Sequence, residues 1–267
     1  METVRSYYAR FPEERRLSSG LAQIEAARTK ALIRRYAPEP PAEVVDAGGG
    51  AGAYSFWLAN QNYDVHLMDV SPRLVELAAE RNTKARAPLA SVGEGDARSL
   101  PFADRQVDVV LLLGPLYHLT DAVDRVQALS EAVRVLKPGG LLFAACITRW
   151  ASLIEGLLHD RLSDNDFAAM ARNDLETGQH RNPAHHPDWF TTAYLHRPTD
   201  FADELRQTGL ELLGVFGVEG PAALFTDFDE RWADAARRDA MMNVAEALES
   251  EPGLYGMSPH LLGVCRA

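Results

Sequence analysis

Apolar residues fall in two rhythms along this chain. Up to about Tyr36 the sequence is polar and helical in pattern, with Leu21, Ile24, Ala31 and Leu32 roughly on one face. Pro38, Pro40 and Pro41 stop that pattern. Short apolar runs then alternate with helical ones. Val44–Val45 feeds a glycine-rich turn, and Val65–Val70 is a second run. Ser71 and Pro72 suit an N-cap and a first helical position, opening a helix through Leu74, Leu77 and Ala78. Ala90–Val92 is a weak third run, whereas Val107–Leu113 is apolar enough to be buried on both faces. Val126, Leu129, Val133 and Leu136 follow at helical spacing, Pro138-Gly139-Gly140 is expected to end that helix, and Leu141–Ile147 reads as a fifth strand. This alternation predicts a parallel sheet covered by helices.

From Trp150 to about His196 the pattern loosens into helices and a polar, histidine-rich stretch. Order returns with Thr199 as N-cap of a helix through Phe201 and Leu205 that Gly209 stops. Leu210–Val218 and His260–Cys265 read as two further strands, with a long helix from about Asp229 to Ser250 between them. The expectation is a single domain, 1–267: a helical cap at 1–37, a core at 42–147, a helical cap insert at 150–196, and 198–267 completing the sheet.

Composition narrows this picture. A length of 267 residues buries a core without covalent staples. Cys146 and Cys265 sit in apolar runs, as buried free thiols do. No N-terminal stretch resembles a secretory signal, and no run approaches the roughly 18 apolar residues of a membrane span. A cytoplasmic protein without a membrane partner is therefore expected. The net charge of −11 repels a phosphate backbone and argues against nucleic-acid partners. Oligomeric state is not legible.

The chemistry concentrates in Val44-Val45-Asp46-Ala47-Gly48-Gly49-Gly50-Ala51-Gly52. Glycines after a first strand let a ligand approach the backbone without meeting a Cβ atom. Gly48, Gly50 and Ala53 also satisfy the relaxed dinucleotide fingerprint, so the turn alone does not separate NAD from S-adenosylmethionine. Asp46, two residues before the glycines, would repel a pyrophosphate but suits an ammonium or sulfonium group. Asp69 at the end of the second strand can accept ribose hydroxyls, a feature both ligands share. Gly95-Asp96-Ala97, ahead of Leu100-Pro101-Phe102, can hydrogen-bond an adenine amino group.

Taken together, VVDAGGGAG, HLMDVSPRLVELA, GDARSLPFADRQVDVVLLLGPLYHL and EAVRVLKPGGLLFAA resemble the class I S-adenosylmethionine-dependent methyltransferases, in their small-molecule, ubiquinone-biosynthesis-like branch. The resemblance runs from about Val44 to Ile147. It implies an α/β, Rossmann-like doubly wound sheet of seven strands, the last antiparallel, with a helical cap. It also implies that Asp46, Gly48 and Gly50, with Ala47, line the methionine portion of S-adenosylmethionine. Asp69 and Val70 would take the ribose, Gly95, Asp96 and Ala97 the adenine, and Leu113 and Gly114 would lie beneath the sulfonium. Gly114-Pro115-Leu116-Tyr117 departs from the Asn/Asp-Pro-Pro-aromatic tetrad of enzymes that methylate nucleobase amines or glutamine amides. Transfer to an oxygen or aliphatic nitrogen of a small molecule is expected, with sulfur or carbon less so.

Other residues keep two readings. His118 suits a general base, with an ordinary pKa near 6.5, or a structural or acceptor contact. In relatives an N-terminal tyrosine often folds over the cofactor, so Tyr7 or Tyr8 closes the site or packs a helix on the core; Tyr8 is the one placed at the cofactor. Tyr117 and Tyr194, with His118, are candidates to contact the acceptor, and Trp150, Trp189 and Phe190 to build the cap. His180, His185, His186 and His196 lack the helical spacing of a zinc site, so no metal is expected. Two rivals remain: an NAD(P)-dependent oxidoreductase, which leaves Asp96 without a role, and a non-catalytic methyltransferase-like scaffold.

Overall fold

The computed structural model describes residues 2–182, 186 and 189–267. Three helices, α1 (Glu2–Tyr8), α2 (Glu13–Arg16) and α3 (Ala22–Tyr36), precede the sheet. Next come β1 (Glu43–Ala47), α4 (Ser55–Ala59), β2 (Asp64–Asp69), α5 (Pro72–Thr83), β3 (Ser91–Glu94), β4 (Val107–Leu112), α6 (Pro115–His118), α7 (Ala122–Val135) and β5 (Leu136–Ile147). The insert folds as α8 (Ala151–Leu158), α9 (Asn165–Thr177) and a small pair of strands, β6 (Gln179–His180) and β7 (Ala193–Tyr194). The chain ends with α10 (Pro198–Arg206), β8 (Glu211–Gly217), α11 (Phe228–Ala233), α12 (Ala235–Leu248) and β9 (His260–Arg266).

The main sheet has seven strands in the order β3-β2-β1-β4-β5-β9-β8. Strands β1 to β5 pair in parallel, and β9 enters antiparallel to both β5 and β8. The expected fold is observed. Both faces are covered, so successive residues of a strand are buried in different cores. Val45, Val110, Leu112 and Ala144 pack with Leu129 and Phe201 on one face. Val44, Val109, Leu111 and Phe143 pack with Leu32, Phe56 and Leu58 on the other. Strand order reverses between β1 and β4, and open sheets of this type bind ligands outside the strand ends at such a switch point.

Four boundaries differ from expectation. The helix after β4 stops at Val135, and β5 already includes Pro138-Gly139-Gly140. Gly139 has φ +82°, and the register against β4 shifts between Val107 and Val109, so these residues form an irregularity inside the strand. The helix at 198 has Pro198 in its first turn behind an extended Arg197, leaving Thr199 inside. The third strand sits at Ser91–Glu94. The long helix after β8 breaks at Asp234, whose side chain caps α12 by accepting the Arg237 N–H at 2.9 Å. Among the described residues no helix is long and apolar enough to cross a membrane.

Candidate functional site

The turn leaving β1 is built by positive φ angles. Gly48 has φ +81° and Gly50 +58°, a region L side chains rarely adopt. The N–H groups of Gly48 and Gly49 donate to the Met68 carbonyl at 2.7 and 3.0 Å, locking the turn onto β2. A Cβ on Gly48 would stand 2.7 Å from the Pro115 ring, which seats α6 against the turn. Gly50 donates its N–H to Asp69 Oδ2 at 2.9 Å, and Ser71 donates to Oδ1 at 2.8 Å. Burial pushes the Asp69 carboxyl up, and the N–H groups of Ser71, Gly50 and Val70 oppose it.

Asp46 is almost fully enclosed and accepts the Ser55 hydroxyl at 2.5 Å. Burial, with Asp69 nearby and Ser55 opposing, raises its carboxyl to about 6. Asp96 behaves differently. Burial would raise it, but Arg98 binds both its oxygens, the closest contact being 2.6 Å, and holds it below the usual carboxylate range. The Asp96 carboxylate is thus turned into an ion pair rather than standing free.

A first cavity of about 270 Å³ lies above these strand ends. Asp46, Gly48, Gly50, Asp69 and Val70 line it on one side, Gly95, Asp96 and Ala97 on a second, and Leu113, Gly114, Tyr117 and His118 on a third. Tyr8 closes it from α1, its hydroxyl 2.9 Å from His118 Nε2. The other ring nitrogen of His118 faces the Thr192 carbonyl at 3.3 Å. A carbonyl only accepts, so Nδ1 carries the hydrogen and Nε2 receives the Tyr8 hydroxyl. Burial lowers His118 to about 4, opposed by Thr192, which leaves it neutral and poorly suited to take a proton. Burial also drives the Tyr8 and Tyr117 hydroxyls upward.

A second cavity of about 400 Å³ adjoins the first and shares Tyr8, Arg16 and Tyr117 with it. Its walls are mostly apolar: Leu21, Ile147, Ala151, Ile154, Leu158, Phe190, Leu195, Ala223 and Pro259. Ser152, Glu155, His159, His180 and His260 supply polar groups. Helix α8 of the insert therefore roofs this space, together with the N-terminal segment.

Two expected residues lie elsewhere. Ala47 is buried in the core beneath the sheet, because β1 turns alternate side chains to opposite faces. Tyr194 lines neither cavity; Arg125 stacks on its ring at 3.9 Å and Arg149 donates to its hydroxyl. Phe190, which the sequence placed only in the cap, lines the second cavity. Of the four insert histidines, His180 pairs with Asp174, His196 with Glu204, and His186 stacks on Trp189, while His185 lies outside the described residues.

Sequence reasoning missed Glu13 and Arg16, which line the first cavity from α2. Arg16 binds Glu25 through both terminal nitrogens, at 2.6 and 2.9 Å, and Glu13 at 2.9 Å. Behind it His260 meets Glu219 at 2.5 Å and Glu25 at 4.0 Å. Glu25, Glu219 and His260 are the one metal-sized donor group among the described residues. Arg16 already engages both Glu25 oxygens, and His260 is pushed up to about 9, so a charged network accounts for the cluster.

Residues 45–144 match the family model described as methyltransferase domain. The ubiquinone/menaquinone biosynthesis C-methyltransferase UbiE of Cereibacter sphaeroides is 28% identical over 191 residues, covering 68% of this chain and 72% of that protein. The demethylmenaquinone methyltransferase of Tropheryma whipplei is 36% identical over 101 residues, 38% of this chain and 39% of its own. Among solved structures, the CcbJ methyltransferase of Streptomyces caelestis superposes with TM-score 0.59 at 16% identity, over 99% of this chain and 96% of that one. A [4+2]-cyclase, SpnF, superposes with TM-score 0.57 at 18% identity, over 90% and 79% of the two chains. The fold alone therefore does not fix the activity. Residues 45–144 are a methyltransferase domain, carried on the seven-stranded fold of S-adenosylmethionine-dependent methyltransferases.

Proposed function

We propose that the first cavity holds S-adenosylmethionine and the second a hydroxylated, largely apolar small molecule, so that the shared wall of Tyr8, Arg16 and Tyr117 marks where the methyl group passes. The observation that carries this reading is the adjacency of two unlike cavities. One is a glycine and carboxylate cradle, and the other is apolar with few polar groups. The cradle fits the cofactor. Gly48 and Gly50 keep the backbone clear, and a Cβ on Gly50 would meet nothing closer than 3.8 Å, which leaves room for a ligand there. Asp46 and Gly48 would face the methionine portion, Asp69 and Val70 the ribose, Gly95, Asp96 and Ala97 the adenine, and Leu113 and Gly114 the sulfonium. Tyr8 and His118 would close the site.

When bound, the cofactor supplies a methyl carbon made electrophilic by a sulfonium that leaves as a neutral thioether. The chain's part is alignment and exclusion of water. Segments 1–37 and 150–196 act as the cap that does this, since α1, α2 and α8 wall the two cavities. Oxygen is the methylated atom in this reading. A second reading, carbon next to a hydroxyl, is favoured by the C-methyltransferase relatives. A net charge of −11 opposes nucleic acid as the acceptor.

Calorimetric titration with S-adenosylhomocysteine, with NADH for comparison, tests the cofactor assignment. Binding of the first alone, weakened at least about tenfold by Asp69→Ala, is expected, the worth of one lost charge-assisted hydrogen bond or more. Tighter binding of NADH, or no binding by the unmodified protein, would overturn it.

A further inference from the structure

His180 ends β6 and lines the cavity under α8, beside Ser152. Behind both stands Asp174 of α9, which has no exposed surface. Its Oδ2 accepts the Ser152 hydroxyl at 2.7 Å and faces His180 Nδ1 at 2.7 Å, while Oδ1 has no hydrogen-bond partner. His180 is the ring in hydrogen-bond contact with Asp174, which fixes its orientation at the cavity wall. With Nδ1 committed to Asp174, Nε2 is the nitrogen left to act on a ligand. Its present neighbour is the Phe190 carbonyl at 3.3 Å, an acceptor, so Nε2 carries a hydrogen in this arrangement; the ring is a base only in its neutral form, with this contact exchanged for the acceptor's hydroxyl.

We propose that His180, oriented by Asp174, is the base that takes the acceptor's hydroxyl proton, a role that rests on the acceptor occupying the cavity under α8. The proton passes from the acceptor oxygen to His180 Nε2. The oxygen's electron pair forms the new bond to the methyl carbon, and the pair of the broken carbon–sulfur bond stays on sulfur. The imidazolium is stabilised by Asp174 and later returns its proton to water. Asp174 is a positioning residue in this scheme, since it touches His180 and not the acceptor. His118, at the first cavity, is disqualified by geometry: Tyr8 already fills its accepting nitrogen. Arg16, Tyr8, Tyr117, Glu155, His159 and His260 also line the cavity, and Arg181 donates to the His180 carbonyl at 2.8 Å, so these are the other titratable and charged groups a pH profile has to account for.

4-Nitrophenol added to the protein saturated with S-adenosylhomocysteine reads proton transfer without turnover, because the phenolate is yellow and the phenol is not. About one pH unit below the probe's own pKa, binding to the unmodified protein should develop phenolate absorbance, the probe's proton having moved to His180. His180→Gln should bind the probe, by calorimetry, without the colour, and Asp174→Asn should lose most of it. The double variant Asp174→Asn/His180→Gln leaves no uncompensated buried charge, so it keeps the test valid if either single variant fails to fold. All variants should keep their affinity for S-adenosylhomocysteine. Colour that survives His180→Gln, or that His118→Gln abolishes instead, overturns the base. Absence of probe binding to the unmodified protein overturns the acceptor cavity itself, and the base with it.

Discussion

The Tyr8 hydroxyl stands 2.9 Å from Nε2 of His118, and the two rings meet edge to face with centroids 5.4 Å apart. The contact spans 110 positions of sequence and ties α1 to α6, the short helix after the central strand β4. Tyr8→Phe keeps the ring and deletes the hydrogen bond. The expected loss of stability is about 1 kcal/mol, the net worth of one such bond. The larger effect should be kinetic: S-adenosylhomocysteine, trapped beneath α1, should leave several-fold faster in a displacement experiment. An unchanged release rate would mean that α1 does not gate the cavity.

Asp46 makes the opposite trade. Its folded pKa of about 6 lies above the ordinary 3.8, so the folded chain holds this proton more tightly than the unfolded chain. The stabilisation is complete below 3.8 and is lost as pH rises through about 6. At neutral pH the buried charge therefore costs about 3 kcal/mol. Asp46→Asn should raise the melting temperature at neutral pH while weakening S-adenosylhomocysteine binding, and it should flatten the stability profile between pH 4 and 6. Thermal denaturation with and without the ligand checks both signs. A lower melting temperature in the ligand-free variant would contradict the burial account.

These two sites differ in how far sequence disclosed them. Asp46, Gly48, Gly50 and Asp69 were legible because strand ends and positive-φ turns impose fixed local spacings. Ala47 was misplaced by one step of strand alternation, which a turn motif does not register. Tyr194 was misread because its neighbours are remote: Arg125 and Arg149 reach it from α7 and the end of β5. Arg16 and Glu13 carried no motif, and only the folding of the first helices onto the sheet brings them to the cavity. The break at Asp234 and the strand through Pro138-Gly139-Gly140 follow from a cap and a register shift, which periodicity blurs.

Gly48 is a turn position with no room for a side chain. Gly48→Ala would place a Cβ 2.7 Å from the Pro115 ring at a φ of +81°. Left-handed backbone and displacement of α6 together should cost on the order of 1–3 kcal/mol. Ligand affinity should fall further than stability, since α6 carries Tyr117 and His118 into the cavity. Gly139→Ala is a useful control: its φ is +82°, but nothing lies within 4 Å of the added carbon. It should cost only the backbone strain and leave S-adenosylhomocysteine affinity intact. Equal affinity losses in the two variants would show that strain alone, not contact with Pro115, controls the cradle.

His260 sets the alkaline limit of the fold. Burial alone would lower its pKa, but Glu25 and Glu219 outweigh that and push it up to about 9 from 6.5. The stabilisation is fully present below 6.5 and is lost as pH rises through about 9, an upper bound of about 3 kcal/mol. The charge matters beyond stability, because Glu25 also holds Arg16 at the boundary of the two cavities. With His260 neutral, Glu25 and Glu219 face each other with one positive charge fewer between them. Urea denaturation between pH 6.5 and 9.5 should show the unmodified protein weakening toward the alkaline end. His260→Gln should start less stable at pH 6.5 and change little across the same range. Glu219→Gln should move the midpoint of the decline to lower pH, since it removes one of the two carboxylates that hold the proton. A profile for His260→Gln as steep as that of the unmodified protein would assign the alkaline transition to other groups.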